Sequence, residues 1–312
     1  MKTQISLFDE IRQATAFVAT NAEDVRIDEG KLVEVSKSLN GKPAQDWNNQ
    51  LQRMLGNLSL EDELRLEIAT GLTNARFWRE PKWETKEHGG AILLLVLYIN
   101  ALENKKLWSS ETSREDYLKI IDIGTGVELP RWKERRDILV AGVRVFEEKF
   151  SGDVLKWLHF CGFDAERIAG ALLEDFPSFR DVYIYKGHRV PICKLLQLTI
   201  WSIHRILLRR GQSGILGIDK LTAMADYKIP QTLRHLEVLK YSESLAQRID
   251  NKIELASGSP EEIEIRACTI QVIERIAKQI KLSPMEIDML LWLKSQTVSN
   301  MKPYHRTDTL FY

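Results

Sequence analysis

The sequence predicts a mostly α-helical fold in a single domain, with one or two small β-hairpins. Three observations carry this. Apolar residues recur at helical spacing in most stretches between Ile11 and Trp292. Ser259-Pro260-Glu261-Glu262 and Ser283-Pro284-Met285-Glu286 each set a Ser cap, then Pro, then Glu three residues after the Ser, a capping box reinforced by proline. Strand-like alternation is clear only around Val182–Val190, with a weaker aromatic stretch at 76–85.

Composition narrows the class. The chain has 312 residues, and the expectation is one unit, 1–312, with an N-terminal helical part (1–70) and a motif-bearing part (71–312). Hydrophobic content of 44% and charged content of 28% describe a soluble globular protein. Lys+Arg and Asp+Glu balance at 44 each, which argues against a broad phosphate-backbone interface. No stable nucleic-acid complex is expected. Cys161, Cys193 and Cys268 lack CxxC spacing and are read as buried apolar residues in a reducing, cytoplasmic setting. The N-terminus lacks a signal-peptide pattern, and the longest apolar run, Ala91 to Ile99, is far short of the roughly 20 residues that span a bilayer. It reads as a buried helix.

In chain order, Ile11, Ala14, Phe17 and Val18 mark a first helix, and an acidic turn at Asn21 to Asp24 ends it. Leu32, Val33, Val35 and Leu39 mark a second. Gln45–Leu55 and Glu61–Leu72 continue the helical trend, with Trp47 as a core anchor. Arg76 to Thr85 alternates aromatic and charged residues around Pro81, a short hairpin or extended arm. Gly124-Thr125-Gly126 has neither an apolar strand before it nor a third glycine, so it is a turn. Pro130–Phe150 is a long helix whose early Arg131, Lys133, Arg135 and Arg136 are expected to form a solvated face, the alternative being an anion site that needs tertiary convergence. Helices near 153–160 and 164–174 precede the hairpin, which turns at Lys186-Gly187. Cys193–Arg209 is apolar on almost every face, the mark of a central helix, with Lys194, Gln197, Ser202 and His204 as polar exceptions. Any of these that points inward needs a partner or marks a pocket. No two histidines have metal-ligand spacing, so no metal is expected.

The chemistry gathers between Leu221 and Ser242. A short helix signal ends at Met224-Ala225, Asp226-Tyr227-Lys228 breaks it, and Pro230 opens the next helix. Asp226 therefore sits in a tight corner at a positive helix N-terminus, either as a simple cap or as a functional carboxylate. Asp288 stands alone among Ile287, Met289, Leu290, Leu291 and Trp292, where a carboxylate is costly unless paired or functional. The aromatic tail, Tyr304 to Tyr312, is expected to dock on the core.

These residues resemble a known family. Ala225-Asp226-Tyr227-Lys228-Ile229-Pro230-Gln231 is similar to the ADYR-x-PQ signature of the queuosine salvage proteins. Phe176-Pro177-Ser178-Phe179-Arg180-Asp181-Val182 resembles that family's hairpin entry, and Lys194 and Gln197 match two positions of its K-R-A-Q helix. Leu239 to Ser242, Glu262 to Arg266, Asp288 with Leu291-Trp292, and Tyr304-His305-Arg306 follow in the family's order. The resemblance implies a helical domain related to helix-hairpin-helix glycosylases that hydrolyses the N-glycosidic bond of queuosine 5′-phosphate and releases queuine for tRNA modification. It implies a small nucleotide substrate and no metal or redox cofactor. Asp226 is implied to be the catalytic carboxylate, facing the positive charge that builds on the sugar. Asp288, with Asp181 behind it, suits the N–H edge of a guanine-type base. Lys194 and Arg306 suit the phosphate, and Tyr227 and Trp292 the pocket walls. Met224 stands where the family usually has Phe, Met289 where some members have an aromatic, Ser202 where an Asp is usual, and Leu293 where some have an acid. The alternative is an altered homologue that binds a nucleoside or nucleic acid without cleaving it.

Overall fold

The computed structural model describes residues 5–39, 55 and 58–312, so the expected anchor Trp47 lies outside the described residues. Helix α1 (Leu7–Asn21), capped by Ser6, buries Phe8, Ile11, Thr15 and Val18 along one face. That face packs on α12 (Pro260–Ile280), the most enclosed helix of the molecule, in which every residue from Glu262 to Ile270 is buried. β1 (Val25–Ile27) and α2 (Glu29–Leu39) follow α1 in the chain and pack on the same helix, α12. Strand β1 pairs antiparallel with β4 (Leu239–Tyr241), a long-range pairing that the sequence did not signal.

A second apolar cluster forms around α3 (Leu60–Thr73), α4 (Gly90–Glu103), α5 (Arg114–Ile121) and α6 (Trp132–Phe150). Helix α4 is buried on one side only. Arg135, expected on a solvated face, is fully buried. Its guanidinium donates to the carbonyls of Pro130, Thr73, Ala75 and Arg76, closing the end of α3, whose last carbonyls have no partner within the helix.

Short helices α7 (Val154–Phe160) and α8 (Ala165–Asp175) lead to the predicted hairpin, β2 (Val182–Tyr185) and β3 (His188–Pro191). Lys186 and Gly187 turn it with φ of +47° and +80°, the left-handed pair that a two-residue hairpin needs. Helix α9 (Lys194–Arg209) packs against α3 and α8. It is not buried on every face: Leu208 is exposed, and Leu198, Trp201, Ser202 and Arg205 are only partly covered.

Helix α10 (Lys228–His235) leads into β4 and α11 (Glu243–Asp250). Of the two expected capping boxes, the one opening α13 (Pro284–Thr297) is reciprocal: Ser283 accepts from the Glu286 N–H and Glu286 from the Ser283 N–H. Ser259 accepts from the Glu262 N–H, but the Glu262 carboxylate turns to the Gly258 N–H and Arg266 instead. The tail docks as expected. β5 (Glu254–Leu255) pairs in parallel with β6 (Arg306–Thr307), and the Tyr312 carbonyl accepts from the Arg76 N–H at 2.8 Å. Cys161, Cys193 and Cys268 are free and buried. Among the described residues, no helix is long and apolar enough to cross a membrane.

Candidate active site

The segment before Asp226 has no regular secondary structure and is not helical as expected. A buried segment outside any helix or sheet must find other partners for its backbone groups, and side chains supply them here. From α9, Gln197 accepts from the Thr222 N–H at 2.8 Å and donates to the Ala223 carbonyl at 3.4 Å. From α13, Asp288 Oδ2 accepts from the Met224 N–H at 2.9 Å, and from α12, Arg266 Nε donates to the Ala225 carbonyl at 2.9 Å. The Asp226 side chain then caps α10, with Oδ1 accepting from the N–H of Lys228 at 2.6 Å and of Ile229 at 3.1 Å. Oδ2 takes no hydrogen bond among the described residues. Pro230 sits in the first turn of α10, where its missing N–H is no loss.

Asp226 borders a cavity of about 360 Å³, within the size range of small-molecule pockets. Seven of the residues expected at the site line it together: Asp226, Asp288, Lys194, Met224, Tyr227, Met289 and Trp292. Burial, reinforced by the charge of Asp226, holds the Asp288 carboxyl well above the usual carboxylate range. Burial lowers Lys194 and Lys228, while the Asp226 charge opposes that in both. Tyr227 is pushed up by burial and by Asp226, and its ring lies 4.8 Å from that of Tyr304. The cavity thus combines an apolar wall with carboxyl and ammonium groups whose ordinary charge states are disfavoured. Such a set attracts a polar ligand that restores them.

Two expected residues do not line this cavity. Asp181 is buried in a bidentate pair with Arg266, at 3.0 and 2.6 Å, and its Oδ2 also accepts from the Lys194 N–H at 3.2 Å. It therefore ties the start of α9 to the arginine that holds Ala225, a framework position. Arg306 lies in a separate surface recess with Arg76, Trp78 and Arg79, paired to Glu80 at 3.3 Å.

The cavity also holds residues that sequence reading passed over. Glu67, Phe77, Arg205 and Tyr312 line it, as does Ser202, one of the polar exceptions of the central helix and a departure from the family pattern. Burial pushes the Glu67 carboxyl up to about 8, opposed by a Ser202 hydrogen bond and by Lys194. The signal was in the spacing. Lys194, Leu198, Trp201, Ser202 and Arg205 follow one face of α9, and Glu63, Glu67 and Thr70 face it from α3.

A family model described as queuosine salvage protein matches residues 90–312. Queuosine 5′-phosphate N-glycosylase/hydrolase of Sphaerobacter thermophilus is 31% identical, with 96% of each chain covered. The Mus musculus protein of that name is 29% identical over 96% of this chain and 98% of its own. Its Schizosaccharomyces pombe counterpart is 27% identical over 96% and 95%. The matched segment contains α9, the irregular segment before Asp226, α10 and α13, which carry Asp226, Asp288 and Lys194. The chain belongs to the queuosine salvage protein family.

Proposed function

We propose that this protein hydrolyses the N-glycosidic bond of queuosine 5′-phosphate and releases queuine. The observation that carries the reading is the convergence of Asp226, Asp288 and Lys194 on one cavity in a chain whose relatives bear that activity in their names. Breaking a ribosyl C–N bond leaves positive charge on C1′ and O4′. Asp226, fixed by two backbone N–H groups, needs no reorganisation to stabilise that charge, electrostatically or by attack at C1′. Water then supplies the hydroxyl that ends on C1′ and the proton that ends on the base.

Asp288 receives the edge of the base that carries two N–H donors, which draw its carboxyl towards the charged form. The 5′-phosphate meets Lys194 and Lys228, whose ammonium forms an anion restores. Tyr227 and Trp292, with Met224 and Met289, form the walls against the base. The substrate is a free nucleotide and not a polynucleotide, in keeping with equal numbers of acidic and basic residues. The free, buried thiols fit a reducing cytoplasmic setting. Incubating the protein with queuosine 5′-phosphate and following free queuine by chromatography tests the reading; no release at stoichiometric enzyme would contradict it.

A further inference from the structure

Among the described residues, four carboxyl side chains line the cavity: Glu63, Glu67, Asp226 and Asp288. Three of them are engaged. Glu63 pairs with Arg209 and Arg210. Asp226 holds the start of α10, and Asp288 holds the Met224 N–H. Glu67 makes no ion pair among the described residues, and Ser202 is its hydrogen-bond partner. Ser202 lies eight residues after Lys194 on α9, roughly 12 Å further along the helix axis, so Glu67 sits away from the Asp226 end.

A desolvated carboxyl in a ligand cavity that makes no ion pair among the described residues, its burial only partly offset by Lys194, is a position that a ligand cation would complete. The base of the proposed substrate carries one. Queuine is a 7-deazaguanine whose 7-substituent contains a secondary amine, protonated near neutral pH. Its other donor-rich edge is the pair of N–H groups assigned above to Asp288. We propose that Glu67, steadied by Ser202, binds the ammonium group of the 7-substituent and so makes the site select amine-bearing 7-deazaguanines over guanine-type bases without that charge. This rests on the nucleotide-hydrolase reading and extends it to specificity.

The test is equilibrium titration of two free bases, queuine and 7-deazaguanine, into the wild type and Glu67→Gln, with turnover of queuosine 5′-phosphate measured separately. The wild type binds queuine more tightly. In Glu67→Gln that preference, the ratio of the two Kd values, falls roughly 10- to 100-fold, the size of a lost charge-assisted hydrogen bond. Should Glu67→Gln fail to fold, Glu67→Asp, which withdraws the charge by one methylene, lowers the same ratio. An unchanged ratio, or equal weakening of both bases, overturns the inference and leaves Glu67 serving an edge that all guanine-type bases share. Absence of turnover by the wild type would count against the hydrolase reading without altering that ratio, so the two failures are distinct.

Discussion

Arg266 Nε donates to the carbonyl oxygen of Ala225 at 2.9 Å, one residue before Asp226, while its Nη1 and Nη2 grip the Asp181 carboxylate. The guanidinium is fully buried and lies 4.0 Å from the Tyr312 ring. One arginine thus links the hairpin entry, the start of α9, the segment that leads into Asp226 and the docked C-terminus. Removing one partner of such a pair leaves an uncompensated buried charge. Asp181→Ala is expected to lose about 3–5 kcal/mol of stability, read by chemical denaturation. A loss below about 1 kcal/mol would show that Asp181 is not part of this framework.

The proposed phosphate contact divides Lys194 from Arg306. Lys194 borders the cavity, whereas Arg306 is held at Glu80 outside it. Lys194→Met should raise KM for queuosine 5′-phosphate by about 10- to 100-fold, and Arg306→Ala should change it by less than about threefold. Reversed effects in steady-state kinetics would move the phosphate to the other recess.

The Glu67 carboxyl has a pH signature with a definite sign. Burial raises it from an ordinary 4.5 to about 8, against the opposing effects of Ser202 and Lys194. The folded state therefore holds this proton where the unfolded state has released it. The contribution is fully present below pH 4.5 and is lost as pH rises to about 8, after which it is flat. Glu67→Gln removes that slope, so the wild-type minus variant difference in unfolding free energy should fall across this interval. A flat difference would mean that the carboxyl is ionised throughout.

The walls that bring Glu67 and Ser202 together depend on a close crossing of α3 and α9. A Cβ added at Gly71 would lie 2.1 Å from Thr199 Oγ1. Gly71→Ala must push the helices apart, and is expected to lower stability by about 1–3 kcal/mol. Calorimetry showing an unchanged or raised Tm would mean that the crossing yields without strain.

Local signals were legible where local chemistry decides. The Ser283 capping box and the Lys186-Gly187 turn both depend on residues within four positions of one another, and they form as read. The irregular segment at 221–226 reads in sequence as a helix end, because its apolar residues fit a helical period while its hydrogen-bond partners come from Gln197, Arg266 and Asp288, distant in sequence. Arg135 was read as solvated for the same reason, since its carbonyl partners at Thr73, Ala75 and Arg76 belong to another helix end. Of the site, the corner at Asp226 and the lone Asp288 stood out as polar groups in apolar surroundings. Glu67 did not, because several acidic residues share its helix and only the packing of α3 on α9 shows which one faces the cavity.

Base release from queuosine 5′-phosphate by Asp226→Asn, beside the wild type, bears on the central claim most directly. Asparagine keeps an oxygen to cap α10 and removes the charge, so the fold and its Tm should stay within a few degrees. The account predicts that kcat falls by at least about 10²- to 10³-fold. A variant that releases queuine within about threefold of the wild-type rate would contradict it, because the transition state would then not depend on the Asp226 charge.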